Sequence, residues 1–134
     1  MPANYKHTDF DIDLNRNSFT DDVSLRHDRH SIRQSIMNIV LTRKGEKPFD
    51  RDFGVGMHNL LFDSPSPTDL QRLEMDIFEE VAAREPRATI KTVKIDDSQL
   101  DANDLKVDIT YDINHGIDAN PILDSLQIAI TKVR

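Results

Sequence analysis

The chain has no cysteine among its 134 residues, which excludes disulfides, thiolate metal sites and a cysteine nucleophile, and is compatible with a reducing compartment. It has no tryptophan, two tyrosines and six phenylalanines, a thin supply for a platform that stacks bases. Basic residues are outnumbered by acidic ones, 17 against 24, and the net charge of −7 argues against a surface built for phosphate backbones. No long apolar run is present, and Met1 to His7 lacks the basic-then-apolar pattern of an export signal. A soluble, non-exported protein is therefore expected, with neither nucleic acid nor membrane as a partner.

Catalytic signatures are missing as well. There is no Gly-x-Ser-x-Gly, no His-Glu-x-x-His and no phosphate-binding loop, and Gly54-Val55-Gly56 lacks both the third glycine and the preceding strand of a dinucleotide cradle. His27 and His30 lie three apart without a third ligand nearby. Asp9, Asp11 and Asp13 have the spacing of a calcium loop but not its glycine or its closing acid. With so many acids a glycosidase pair can always be nominated, and only their separation in space would decide it. No catalytic residue, metal site or cofactor is assigned.

What is present is a pattern of helices followed by strands. The length fits one domain, 1–134, in which the first eight residues are expected to be flexible for want of apolar anchoring. Phe10, Ile12 and Leu14 alternate with Asp9, Asp11 and Asp13, which predicts a strand with its apolar face buried. Asp28 offers an N-cap for a helix to about Thr42, with Ile32, Ile36, Ile39 and Val40 on one stripe and Gly45 as a left-handed cap. Ser66-Pro67-Thr68-Asp69 is a strong helix start, and Leu70, Leu73, Ile77, Phe78 and Val81 form the stripe of a helix ending at Arg84 or Glu85. The glycines near Phe53 predict a tight turn leading into a short helical turn over Met57 to Phe62.

Beyond Pro86 the period becomes two. Ile90, Val93 and Ile95 shift phase once, which suggests a bulged or partly two-sided strand, whereas Leu105, Val107, Ile109, Tyr111 and Ile113 alternate without a break. Leu126, Ile128 and Ile130 begin a last strand that runs almost to Arg134. The expected fold is α+β: two main helices packed on a small, mostly antiparallel sheet formed largely by the C-terminal half. A final strand at a sheet edge could accept a partner's strand, with Leu126, Ile128, Ile130 and Lys132 at the contact; Lys132 and Arg134 could equally protect such an edge, or the strand could lie inside the sheet.

Glu85-Pro86-Arg87 marks the change from helix to strand. Proline stiffens the link and favours extended geometry before it, so the carboxylate and the guanidinium are expected to project together as a two-signed fork for a partner. Residue chemistry alone also allows a plain helix stop with solvated charges.

The order of these marks is distinctive: a helix ending Leu41-Thr42-Arg43-Lys44-Gly45-Glu46-Lys47-Pro48-Phe49, then Phe53-Gly54, Leu61-Phe62, Glu85-Pro86-Arg87 and strands to the end. From Asp21 to Arg134 the chain resembles the baseplate wedge family of contractile-tailed bacteriophages, to which a sheath-anchoring baseplate subunit of type VI secretion systems is related. The resemblance implies a structural protein, present in multiple copies of a sixfold baseplate, that joins the inner baseplate to the first ring of the tail sheath. It implies that Glu85, Pro86 and Arg87 dock on the helical core bundle of other baseplate wedge proteins, and that the terminal sheet accepts strands from the tail sheath protein and templates its assembly. It places the protein in the virion, and in host cytoplasm during assembly. Alanine at Glu85 or Arg87 is then expected to weaken docking far more than folding. Some relatives carry a lysozyme label, so a tail-associated peptidoglycan hydrolase stands as the alternative. The acidic segment Asp9 to Asp13 and Gly56 depart from the family pattern.

Overall fold

In the computed structural model, residues 7–60, 64–98, 104–114 and 122–131 are described. Two short strands, β1 (Thr8–Phe10) and β2 (Leu25–His27), form an antiparallel ribbon ahead of helix α1 (Arg29–Leu41). A short helix α2 (Met57–Leu60) and the long helix α3 (Pro67–Arg84) follow. Strands β3 (Ala88–Asp96), β4 (Asp104–Ile113) and β5 (Ile122–Thr131) then make an antiparallel meander in the order β3-β4-β5. This is the expected α+β architecture. Met1 to Lys6, the Leu61-Phe62 pair and Lys132 lie outside the described residues.

One sheet face carries the core. Leu105, Val107, Ile109, Tyr111 and Ile113 of β4 and Leu126, Ile128 and Ile130 of β5 are buried with the stripes of α1 and α3 in one apolar cluster. Strict period-two alternation forces this arrangement, since one helical layer covers one face and Lys106, Asp108, Thr110 and Asp112 take the other. The register between β3 and β4 slips between Ile90 and Thr92, so of the two readings the phase shift allowed, the bulged strand is the one formed.

Helix α3 starts as its sequence dictates. The Asp69 N–H donates to Ser66 Oγ at 3.3 Å, the Ser66 N–H donates back to Asp69 Oδ2 at 2.9 Å, and Pro67 fills the first helical position. Its stripe differs at one place: Phe78 is exposed, because the buried positions follow Leu70, Leu73, Ile77 and Val81.

The start of α1 departs from expectation. Asp28 makes no side-chain cap bond and sits at φ 44°, while its carboxylate accepts the His7 N–H at 3.0 Å and ties the incoming chain to the helix. Gly45 is left-handed (φ 85°) but stands beyond the helix end, in a loop where its N–H donates to the Arg51 carbonyl; Thr42 is the C-cap. Gly54 (φ 103°) is the glycine with no substitute, because a Cβ there would collide with the Thr42 carbonyl.

The segment Phe10 to Leu14 is the clearest reversal. Phe10, Ile12 and Leu14 are exposed and Asp11 is buried, so the apolar side of the alternation faces out. Asp11 tolerates burial because it receives Arg26 at 3.0 Å and the Asp13 N–H at 3.2 Å. The strand itself ends at Phe10, and a turn closed by the Leu14 N–H on the Asp11 carbonyl replaces the rest.

Candidate functional site

Helix α3 ends where Pro86 cannot continue it, with the Glu85 N–H donating to the Val81 carbonyl. Glu85 and Arg87 do come together, but as a closed pair. Arg87 Nε donates to Glu85 Oε1 and Nη2 to Oε2, both at 2.6 Å, a bidentate geometry that leaves Glu85 only 2% exposed. Arg87 Nη1 also donates to Ser31 Oγ at 3.1 Å, and Ser35 hydrogen-bonds the Glu85 carboxylate. From the far end of β4 the Asn114 N–H donates to the Arg87 carbonyl at 2.8 Å. The expected two-signed fork is thus corrected: the carboxylate is satisfied inside the domain, and what faces outward is the Pro86 ring and the remaining edge of a half-buried Arg87.

The electrostatics follow from that geometry. Burial alone would raise the Glu85 carboxyl, but hydrogen bonds from Arg87 and Ser35 and the nearby positive charge outweigh it and hold the group below its ordinary range. Arg87 is raised by the same pair, so both members stay charged. Truncating either would strand the other, partly desolvated, so the expectation that folding is little affected is replaced by a stability role.

A second buried network grips the same end of α1. Tyr111 and Asp124 face each other across β4 and β5, and the Tyr111 hydroxyl donates to Asp124 Oδ2 at 2.8 Å. Arg29 bonds the other carboxylate oxygen, with Arg33 at 3.9 Å. Burial, then the bond to Asp124, raises the Tyr111 hydroxyl well above its ordinary value; Asp124 is lowered, the Arg29 and Tyr111 bonds outweighing its own burial. Neither network was read from sequence. The available signals were Ser31 and Ser35 beside the α1 stripe, and a tyrosine on the buried phase of β4, whose hydroxyl needs a partner at its cross-strand position.

The two borders of the meander are unlike. At β3 the bulge interrupts the ladder and Glu74 of α3 accepts the Ile95 N–H at 2.9 Å. With that N–H turned from β4, alternation of the ladder directs Val107 toward β5 and leaves the N–H groups of Ser125, Gln127 and Ala129 pointing outward. Among the described residues β5 pairs with β4 alone, an unpaired border ten residues long. Leu126, Ile128 and Ile130 send their side chains into the core and turn their N–H groups toward β4, so the free backbone at this border belongs to Ser125, Gln127 and Ala129 instead.

Comparison with known proteins gives the family of the chain. The model of the family described as baseplate wedge protein gp25 matches residues 26–116. The chain belongs to the gp25 baseplate wedge family. It is 33% identical over 84 residues to the baseplate wedge protein gp25 of Enterobacteria phage T4, a stretch that spans 63% of this chain and 63% of the T4 protein. Its fold is similar to the crystal structure of a Geobacter sulfurreducens protein described as a tail lysozyme, with 25% identity and a TM-score of 0.63 over 77% of this chain and 89% of that one. It is also similar to a chain in the sixfold-symmetrised baseplate of the anti-feeding prophage, with 26% identity and a TM-score of 0.69 over 84% of this chain and 88% of that one. The wedge-family match includes Glu85-Pro86-Arg87 and stops short of β5.

Proposed function

We propose that this protein is a structural subunit of a contractile-tail baseplate, held among other wedge proteins and offering β5 as the template on which the first sheath subunits add strands. Family membership supports the baseplate role, and the unpaired β5 border is the single observation that carries the templating role. Strand addition needs a straight row of free donors and acceptors, and β5 has one where β3 is bulged and blocked by Glu74. Main-chain pairing suits a nucleating surface because it repeats and tolerates different side chains.

The Glu85-Pro86-Arg87 turn is the proposed contact with the helical bundle of neighbouring wedge proteins. In this reading Glu85 is a positioning residue that fixes the guanidinium, while Pro86 and the free edge of Arg87 touch the partner. Pro86→Ala should weaken incorporation into baseplates with little loss of stability. Equal incorporation of variant and parent would remove the turn from the interface.

Hydrolysis of peptidoglycan is the weaker reading, despite the name carried by one structural relative. A glycosidase needs one carboxyl raised enough to act as an acid. The buried carboxylates Asp11, Glu85 and Asp124 are each lowered and each bonded to an arginine.

Ala129→Pro tests the templating role. Its N–H points outward, so proline there keeps the ladder to β4 and removes one docking donor. Baseplates carrying the variant should assemble but start sheath polymerisation poorly. Normal sheath initiation on them would contradict the reading.

A further inference from the structure

Residues 8–27 form a ribbon of inverted polarity. Phe10 faces Leu25 across the strands, so the two side chains share one face, and they are 63% and 46% exposed. In the turn that follows, Ile12 and Leu14 are also exposed, and Phe19, at the tip, is 99% exposed. We propose that this outer face is a docking surface for a basic amphipathic helix of another protein.

The ribbon is built, not frayed. Gln34 of α1 clamps it by donating to the Phe10 carbonyl and accepting the Ile12 N–H at 2.9 Å. Buried Asp11 pins its inner side to Arg26 and the Asp13 N–H, and Leu14 and Asp21 hold left-handed backbone at φ 50° and 61°. A clamped backbone with apolar side chains turned to water is preorganised for contact.

The same clamp selects the kind of partner. Gln34 already occupies the Phe10 carbonyl and the Ile12 N–H, so strand addition at the β1 border is blocked, and the Phe10–Leu25 face makes contact through side chains, as with a helix ridge with apolar residues at i, i+3, i+4 and i+7. Charge sets the flanks. Arg16 and Arg26 are engaged by Asp21 and Asp11, whereas exposed Asp13 and Asp22 form no ion pair among the described residues. Lysine or arginine beside the ridge complements them; a second copy of this chain would set the same acids against each other. Most of the ribbon precedes the family-matched region, so the inference is independent of the β5 and Glu85-Pro86-Arg87 readings.

The test uses the whole chain and two labelled synthetic helices that share a leucine ridge, one flanked by lysine and one by glutamate, followed by fluorescence anisotropy at physiological salt. The lysine helix should bind at least about tenfold more tightly than the glutamate helix. Phe10→Ser with Leu25→Ser, which leaves every charge in place, should weaken it by about tenfold or more while the melting temperature holds, since both side chains are exposed. Asp11→Ala, which unpins the ribbon but keeps its apolar residues, should weaken it as well. Equal binding of the two helices, or binding untouched by the serine pair, overturns the proposal. Self-association in sedimentation that Phe10→Ser abolishes overturns it in favour of a second copy.

Discussion

Glu85 and Arg87 stand on either side of a proline, and α1 supplies the serines that complete their hydrogen bonding. A buried carboxylate held this way makes a sharp prediction. Glu85→Gln should lower stability by about 2 kcal/mol near neutrality, the range for hydrogen bonds to a charged group, measured by urea denaturation. Its pH dependence has a definite sign. The folded Glu85 carboxyl lies below its ordinary value of 4.5, so the stability it contributes is present above that pH and is lost as the pH falls through the folded value. The gap between parent and variant should close below about pH 4.5; a gap constant from neutral to strongly acid pH would contradict the assignment. Tyr111 behaves in the opposite sense. Its raised hydroxyl contributes stability present below its ordinary value of 10, and lost as the pH climbs toward the higher folded one. Tyr111→Phe should remove that alkaline dependence and cost about 1 kcal/mol.

Elements were legible where their causes are local. The Ser66 to Asp69 box lies within one turn, and β4 alternates without interruption, so α3 and the central strand could be placed from sequence alone. The ribbon could not. Asp11 becomes the buried side of its alternation only because Arg26 of β2 and Gln34 of α1 meet that segment in space. The same holds for the Glu85 pair: two nearby charges were visible, but the serines that draw the carboxylate inward are on another helix. Loop glycines divide in the same way. Gly54→Ala should destabilise by about 2 kcal/mol or more, since a left-handed backbone and a collision with Thr42 coincide. Gly45→Ala, left-handed but open to solvent, should lose only about 1 kcal/mol. Thermal melts of the two variants compare these directly; equal losses would mean the approach of Gly54 to Thr42 is unimportant.

For the molecule as a whole, α1 acts as a bracket. Its first turns hold the ribbon through Asp28 and Gln34, the helix-to-strand junction through Ser31, and the β4–β5 pair through Arg29. Three surfaces thereby keep fixed relative positions: the apolar ribbon, the Pro86-Arg87 turn and the β5 border. Rigid placement suits a part that joins larger neighbours, because each contact made then orients the next. Electron microscopy of the assembled tail, at a resolution that traces backbone, examines the central claim most directly. A strand from the sheath subunit, antiparallel or parallel, should lie along Ser125, Gln127 and Ala129. An unoccupied β5 border in the assembled tail, or a foreign strand seated on β3 instead, would contradict it.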